Sequence, residues 1–368
     1  MSKAVPMVLL FLLLGLPGCL GSSNAPAGAG AGLTSQELET QKREATAADF
    51  LDKAMQLFHA GEYLDNEAAL EYLDQAVEFD PNLANARYHR ARLLMELGRW
   101  PEAMEDVEQL LKVDPDHIQG RFARGLIRFH DGDHPGAVSD FSKVLERDDS
   151  VSEAFAYRGA CYSFGGRFED AVRDYTRALA LNPANREAWF RRGLAQASLN
   201  RYPEALHDLT QALSLDSESL EILMARGSTY MRDGQFPQAA GDYRRAGELS
   251  PADSALQGLL ANALAEAGDF TGAGKAASRA LTLARAEGDL KAQAAYLEMI
   301  RDYKARGEAA ARARAADKAK AEKAREERGR TVKPRPKPPA PPAPPAPAEP
   351  DRLAHRLPAL RHHGAHPL

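Results

Sequence analysis

The sequence predicts an all-α protein, an α-α superhelical solenoid of about seven repeats with a C-terminal capping helix and a proline-rich tail. Small residues return every 34 positions at Ala91, Gly125, Gly159, Gly193, Gly227 and Ala261. A second small column runs through Ala69, Ala103, Ala137, Ala171, Ala205, Ala239 and Ala273, and a looser third through Ala76, Leu110, Val144, Ala178, Ala212, Ala246 and Ala280. Between the columns stand Gly98, Gly132, Gly166, Asn200, Gly234 and Gly268, residue types that enter left-handed geometry cheaply and so end a helix. A period of this length means one helical unit stacked on copies of itself.

Each repeat then restarts in the same way. Trp100, His134, Phe168, Tyr202, Phe236 and Phe270 follow the glycine, and Pro101, Pro135, Pro203 and Pro237 come next, at first-turn positions where a missing N–H costs nothing. The second helices end near Pro81, Pro115, Pro183 and Pro251, with Asp149, Ser217 and Arg285 in that slot elsewhere. With these positions in register, residues 47–287 resemble the tetratricopeptide repeat, a helix–turn–helix unit of this length. The copy around 47–83 carries Gly61 and Tyr63 but has roughly three extra residues before Ala69, which predicts a longer turn between its helices.

Residues 1–18 read as a secretory signal, with one lysine and the apolar run Met7–Leu14, too short to span a membrane. Leu16-Pro17-Gly18-Cys19 resembles a bacterial lipobox, which implies lipidation of Cys19, and Leu20 in place of an aspartate resembles outer-membrane sorting. An ordinary cleaved signal is the alternative. Residues 19–33 are a flexible tether of Gly, Ala, Ser and Pro, and Thr34 with Glu37 has capping-box spacing. The folded part is expected over residues 34–303, closed by a helix whose apolar stripe is Leu290, Ala294, Leu297, Ile300 and Tyr303. Residues 304–332 favour helix but offer little beyond alanine to bury, and residues 333–368 form a proline-rich tail. His355, His362, His363 and His366 in that tail have no metal-ligand spacing. The other cysteine, Cys161, falls mid-helix and reads as a small core hydrophobe.

Charge is divided along the chain. The net charge is −5, yet residues 304–338 hold 13 basic and 5 acidic residues, which leaves an acidic repeat region with a basic arm. That arm suits an anionic surface or an acidic partner, or else is a solvated helix. Nucleic acid is not expected for an exported chain.

Two charged columns keep the 34-residue interval: Arg90, Arg124, Arg158, Arg192 and Arg226, each followed sixteen residues later by Asp106, Asp140, Asp174, Asp208 and Asp242. In an antiparallel helix pair these lie at similar heights, so a structural ion pair is expected in each repeat. The resemblance implies that first-helix positions line the concave face. Tyr88, Phe122, Phe129, Phe164, Phe190, Met224 and Met231 then form an apolar groove for a peptide. The Lys and Asn set with which some relatives clamp a terminal carboxylate is missing there. His130 and His134 have i,i+4 spacing but sit over a turn, where His134 takes the slot of the usual aromatic.

No phosphate loop, nucleophile elbow or carboxylate pair stands out, so the sequence predicts a non-enzymatic protein needing no cofactor or metal. The expected function is an envelope-anchored, periplasm-facing scaffold or adaptor that binds a protein or peptide. The resemblance to repeat lipoproteins implies assembly of a secretin, pilus, outer-membrane or cell-wall complex. A chaperone-like carrier of an exported subunit is the alternative, or a cytoplasmic regulatory module if the N-terminus is not a signal.

Overall fold

A computed structural model describes residues 34–331. Cys19, the signal, the tether and the proline-rich tail lie outside the described residues. The chain divides after Glu308 into two units.

The first unit is a run of antiparallel helix pairs. Helix α1 (Ser35–Gln56) starts at a capping box in which Thr34 accepts from the Glu37 amide and the Glu37 carboxylate accepts from the Thr34 amide. The longer turn that follows is a miniature hairpin, with β1 (Phe58–His59) antiparallel to β2 (Glu62–Tyr63). Ala60 and Gly61 at its tip both have positive φ, which only a tight two-residue turn requires. Helix α2 (Asn66–Phe79) closes the first pair.

The regular pairs are α3 (Ala84–Glu96) with α4 (Trp100–Val113), α5 (Ile118–His130) with α6 (His134–Arg147), and α7 (Ser152–Phe164) with α8 (Phe168–Leu181). They continue as α9 (Arg186–Ser198) with α10 (Tyr202–Leu215), α11 (Leu220–Arg232) with α12 (Phe236–Leu249), and α13 (Ser254–Glu266) with α14 (Phe270–Glu287). Asn200 turns left-handed at φ 59°, as the five glycines of its column do at 72–82°.

The small columns are where helices touch. Every alanine of the second column has no exposed surface. A Cβ on Gly125 would meet the Phe141 ring at 2.7 Å, and one on Gly227 would meet the Tyr243 ring at 2.8 Å, so the large core residue of each second helix needs a bare backbone opposite. First helices also touch one another directly, α3 with α5, α5 with α7, α7 with α9 and α9 with α11, which puts them on the inner side of the curve.

Helix α15 (Leu290–Thr331) begins two residues after α14. It covers the end of the stack with a different stripe from the one the sequence suggested. Ala292, Tyr296, Met299, Ile300 and Tyr303 pack inward, while Leu290 is 78% and Leu297 38% exposed. The reason is helical geometry: Tyr296 and Tyr303 lie seven residues apart on the face that carries Ile300, and Leu290 and Leu297 lie off it. In the second unit each described side chain from Ala311 to Glu327 is exposed. No helix among the described residues is long and apolar enough to cross a membrane.

Candidate binding face and its fasteners

The inner face is held in register by the charged columns. In Arg90–Asp106, Arg124–Asp140, Arg158–Asp174, Arg192–Asp208 and Arg226–Asp242, Nε and Nη2 of the arginine donate to the two carboxylate oxygens at 2.6–2.9 Å. This is bidentate fork-on-fork geometry, which fixes direction as well as distance. The aspartates are at most 6% exposed, so each is a buried carboxylate whose charge the arginine answers. Hydrogen bonding to the partner carboxylate, against the opposing effect of burial, holds Arg124, Arg158 and Arg226 above the ordinary guanidinium value.

A third contact escaped the sequence reading. The remaining Nη1 of the arginine reaches back to the second helix of the preceding repeat: Arg90 to Asp74, Arg158 to Ser142, Arg192 to Thr176 and Arg226 to Thr210, at 2.9–3.1 Å. These acceptors lie sixteen residues before each arginine, a column of hydroxyls and acids. Each of these four guanidiniums therefore fastens three helices and couples one repeat to the next. Two carboxylates take an additional arginine, Asp106 from Arg87 and Asp140 from Arg128.

The seven groove residues do not share one environment. The Phe122 ring lies 6.1 Å from Tyr157, and Phe129 lies 5.7 Å from Tyr157 and 5.8 Å from Phe164. Phe164 is 62% exposed and lies flat on His134, at 4.7 Å and 6°. Phe122 and Phe129 are half-buried. Tyr88 belongs to a separate cluster, 5.2 Å from His89 and 5.7 Å from His117. Met224 is 37% exposed, and Met231 packs against the core formed by α12, α13 and α14. Phe190 is no part of an open surface: it is 4% exposed, inside a core with Leu209, Ile222 and Leu223. Surrounding leucines and isoleucine cover it where Phe164 is left open.

Tyr157, central to the aromatic cluster, was not singled out because its column reads His89, Ala123, Tyr157, Arg191, Ala225, Leu259, with no constant residue type. Burial pushes its hydroxyl up to about 12, against the pull of Arg191, and Glu153 and Glu187 both act on it. At the hairpin end, Tyr63 hydrogen-bonds His89 at 3.1 Å, and Arg92 lies over the Phe58 ring. Burial first, then Arg92 and His117, lower the His89 pKa to about 4.

His130 and His134 face different neighbours. His130 stacks on Trp100 of the preceding repeat at 3.9 Å, and His134 on Phe164 of the next. Cys161 is 2% exposed, and burial pushes its thiol up to about 12, which leaves almost no thiolate at neutral pH.

Models described as "Tetratricopeptide repeat" match residues 57–124, 162–219 and 224–289, together more than half of the chain. No curated protein matches. Among solved structures, that of MamA protein is 21% identical, with a TM-score of 0.45, over 47% of this chain and 95% of that one. YrrB, described as a TPR protein with an unusual peptide-binding site, is 20% identical over 50% and 94% of the two chains, with a TM-score of 0.45. A tetratricopeptide repeat protein from Parabacteroides merdae is 17% identical over 72% and 99%, with a TM-score of 0.46.

Proposed function

This chain belongs to the tetratricopeptide repeat family, and from that premise we propose that it is a non-enzymatic scaffold whose inner face captures a segment of a partner protein. The observation that carries the reading is Phe164, a large apolar ring 62% exposed and stacked on His134 beside Phe129. Phe164 is not a singly exposed ring but the open edge of an aromatic cluster with Phe129 and Tyr157, and a contiguous apolar patch supports an interaction site. The surrounding stack of Phe122, Phe129 and Tyr157 gives it a rigid base.

In this reading Cys19 carries a lipid that holds the scaffold to the outer membrane, facing the periplasm, and the captured partner belongs to an envelope assembly such as a secretin, pilus, outer-membrane or cell-wall complex. The lipobox resemblance at Leu16–Cys19 supports the anchor. Mass spectrometry of the mature N-terminus tests it: a lipid-modified Cys19 is expected as the first residue, with loss of membrane association in Cys19→Ser, and an unmodified residue other than Cys19 at the N-terminus sinks it. For the capture site, in-cell cross-linking from position 164 should trap one partner, and Phe164→Ala should lose it while staying folded. The same partner retained by the folded variant would move the site elsewhere.

A further inference from the structure

We propose that the hairpin between α1 and α2 is an acid-released clasp: it closes over α3 at neutral pH, and proton uptake by His89 lifts it off and uncovers an apolar edge at that end of the stack.

The hairpin interrupts the repeat pattern, and its two aromatic residues fasten it to the next first helix. The Tyr63 hydroxyl hydrogen-bonds His89 Nδ1 at 3.1 Å, and the Phe58 ring stands edge-on to His89 at 5.7 Å with the Arg92 guanidinium 4.6 Å above it. Tyr63 is buried by this contact. Two strands of two residues each are too short to hold a turn closed by themselves. Closure of the hairpin therefore depends on its seat against α3.

That seat accepts a neutral imidazole and resists a charged one. His89 is faced by Tyr63 from β2, by Tyr88 and Arg92 from its own helix and, across Tyr88, by His117 from the N-cap of α5. These are two phenols and two bases. Glu96 lies beyond Arg92, 3.5 Å from it, and Glu62 acts on Glu96. His117 Nδ1 accepts from the Gly120 amide at 3.0 Å, so the cap of α5 also needs an unprotonated nitrogen there. An imidazolium at His89 would be both desolvated and repelled by Arg92. Released into water, the ring regains its ordinary basicity, so the open hairpin takes up the proton that the closed one refuses.

Burial first, then Arg92 and His117, bring the closed-state pKa from 6.5 to about 4. The closed form thus loses stability as pH falls from 6.5 towards 4, and opening becomes roughly twentyfold more favourable at pH 5 than at pH 7. Opening puts the Phe58 and Tyr63 rings in water beside Leu64, already 76% exposed, and makes an apolar patch that exists only in acid.

Hydrogen exchange on the full-length protein tests this in residues 57–65, where the Leu64 amide donates to the Leu57 carbonyl at 2.9 Å. Protection there, corrected for the intrinsic pH dependence of exchange, should fall at least tenfold from pH 7 to pH 5, while protection in α8 stays within twofold. In His89→Gln, which keeps a polar partner for Tyr63 but takes up no proton, the fall should be absent. No fall in wild type, an equal fall in His89→Gln, or an equal fall in α8 overturns the proposal. If His89→Gln exchanges freely even at pH 7, NMR titration of the wild-type His89 ring decides: a midpoint below pH 6 supports the clasp, and one at or above pH 6 overturns it.

Discussion

Repeats built on α3 to α12 and the last repeat, α13 with α14, solve the same packing problem with different chemistry. In the former, a guanidinium bridges its own pair through a buried aspartate and, in all but the Arg124 repeat, donates its Nη1 to the preceding helix. In the latter, the positions 34 residues after Arg226 and Asp242 are Leu260 and Ala276, both inside an apolar core with Tyr243 and Tyr303. Polar contacts there come instead from the capping helix: the Tyr296 hydroxyl donates to the Ser254 carbonyl, and that of Tyr303 to Asn262 at 2.6 Å. A bidentate ion bridge suits an interface repeated between similar neighbours, because direction and register come with it. Leucine fills the same space where the neighbour is a unique cap whose tyrosines set the register.

The comparison can be broken most strongly at Leu260. Truncation to Ala should destabilise the terminal pair by about 3 kcal/mol, because a fully packed side chain is lost with no water to fill its place. Equilibrium denaturation fitted to a nearest-neighbour model for repeats measures it, and a change below about 1 kcal/mol would mean that the cap, rather than the apolar core, holds the end together.

Arg158→Ala should cost about 2 kcal/mol by leaving Asp174 buried without its bridge, and the two residues should be coupled in a double-mutant cycle. Copying the last repeat into the middle sharpens the point. Arg158→Leu with Asp174→Ala should recover most of that loss. Failure to recover would show that the ladder adds stability beyond what apolar packing supplies.

Much of this organisation was legible in the sequence, for physical reasons that also mark where legibility ended. Left-handed turns admit glycine or asparagine, so Gly98 through Gly268 announced the helix ends, and Gly125 had to be small because Phe141 stands against it. The Arg and Asp columns were visible because each repeat places them alike. The reach of four of these arginines to the preceding repeat was not, since the acceptors vary from Asp74 to Ser142 to Thr210. A column also assigns direction but not cover. Phe190 and Phe164 both lie on inner first-helix positions, yet Leu209, Ile222 and Leu223 enclose the one while the other stays open. The hairpin at Phe58–Tyr63 could be read as a longer turn but not as strands, because two-residue strands have no periodicity to detect.

A smaller, pH-dependent difference should separate the two ends of the stack. His89 at the hairpin end has its folded pKa lowered to about 4 by burial and by its cationic neighbours, below the unfolded value of about 6.5. Between these values the unfolded chain binds more protons, so stability falls as pH drops from about 6.5 towards 4. The effect should reach about 2 kcal/mol once partial hydration is allowed for. Denaturation at pH 7 and pH 4.5, in wild type and His89→Phe, reads it, and equal acid sensitivity in both would remove His89 from the account.

The smallest stability effect carries the most functional weight. Because Phe164 is open, Phe164→Ala should change the unfolding free energy by no more than about 0.5 kcal/mol, whereas Phe129→Ala, packed against Tyr157, should cost several times that. Affinity for the cross-linked partner, measured for the folded Phe164→Ala protein, is the direct test of the binding face: a loss of at least tenfold, about 1.4 kcal/mol, is predicted, and wild-type affinity would contradict it.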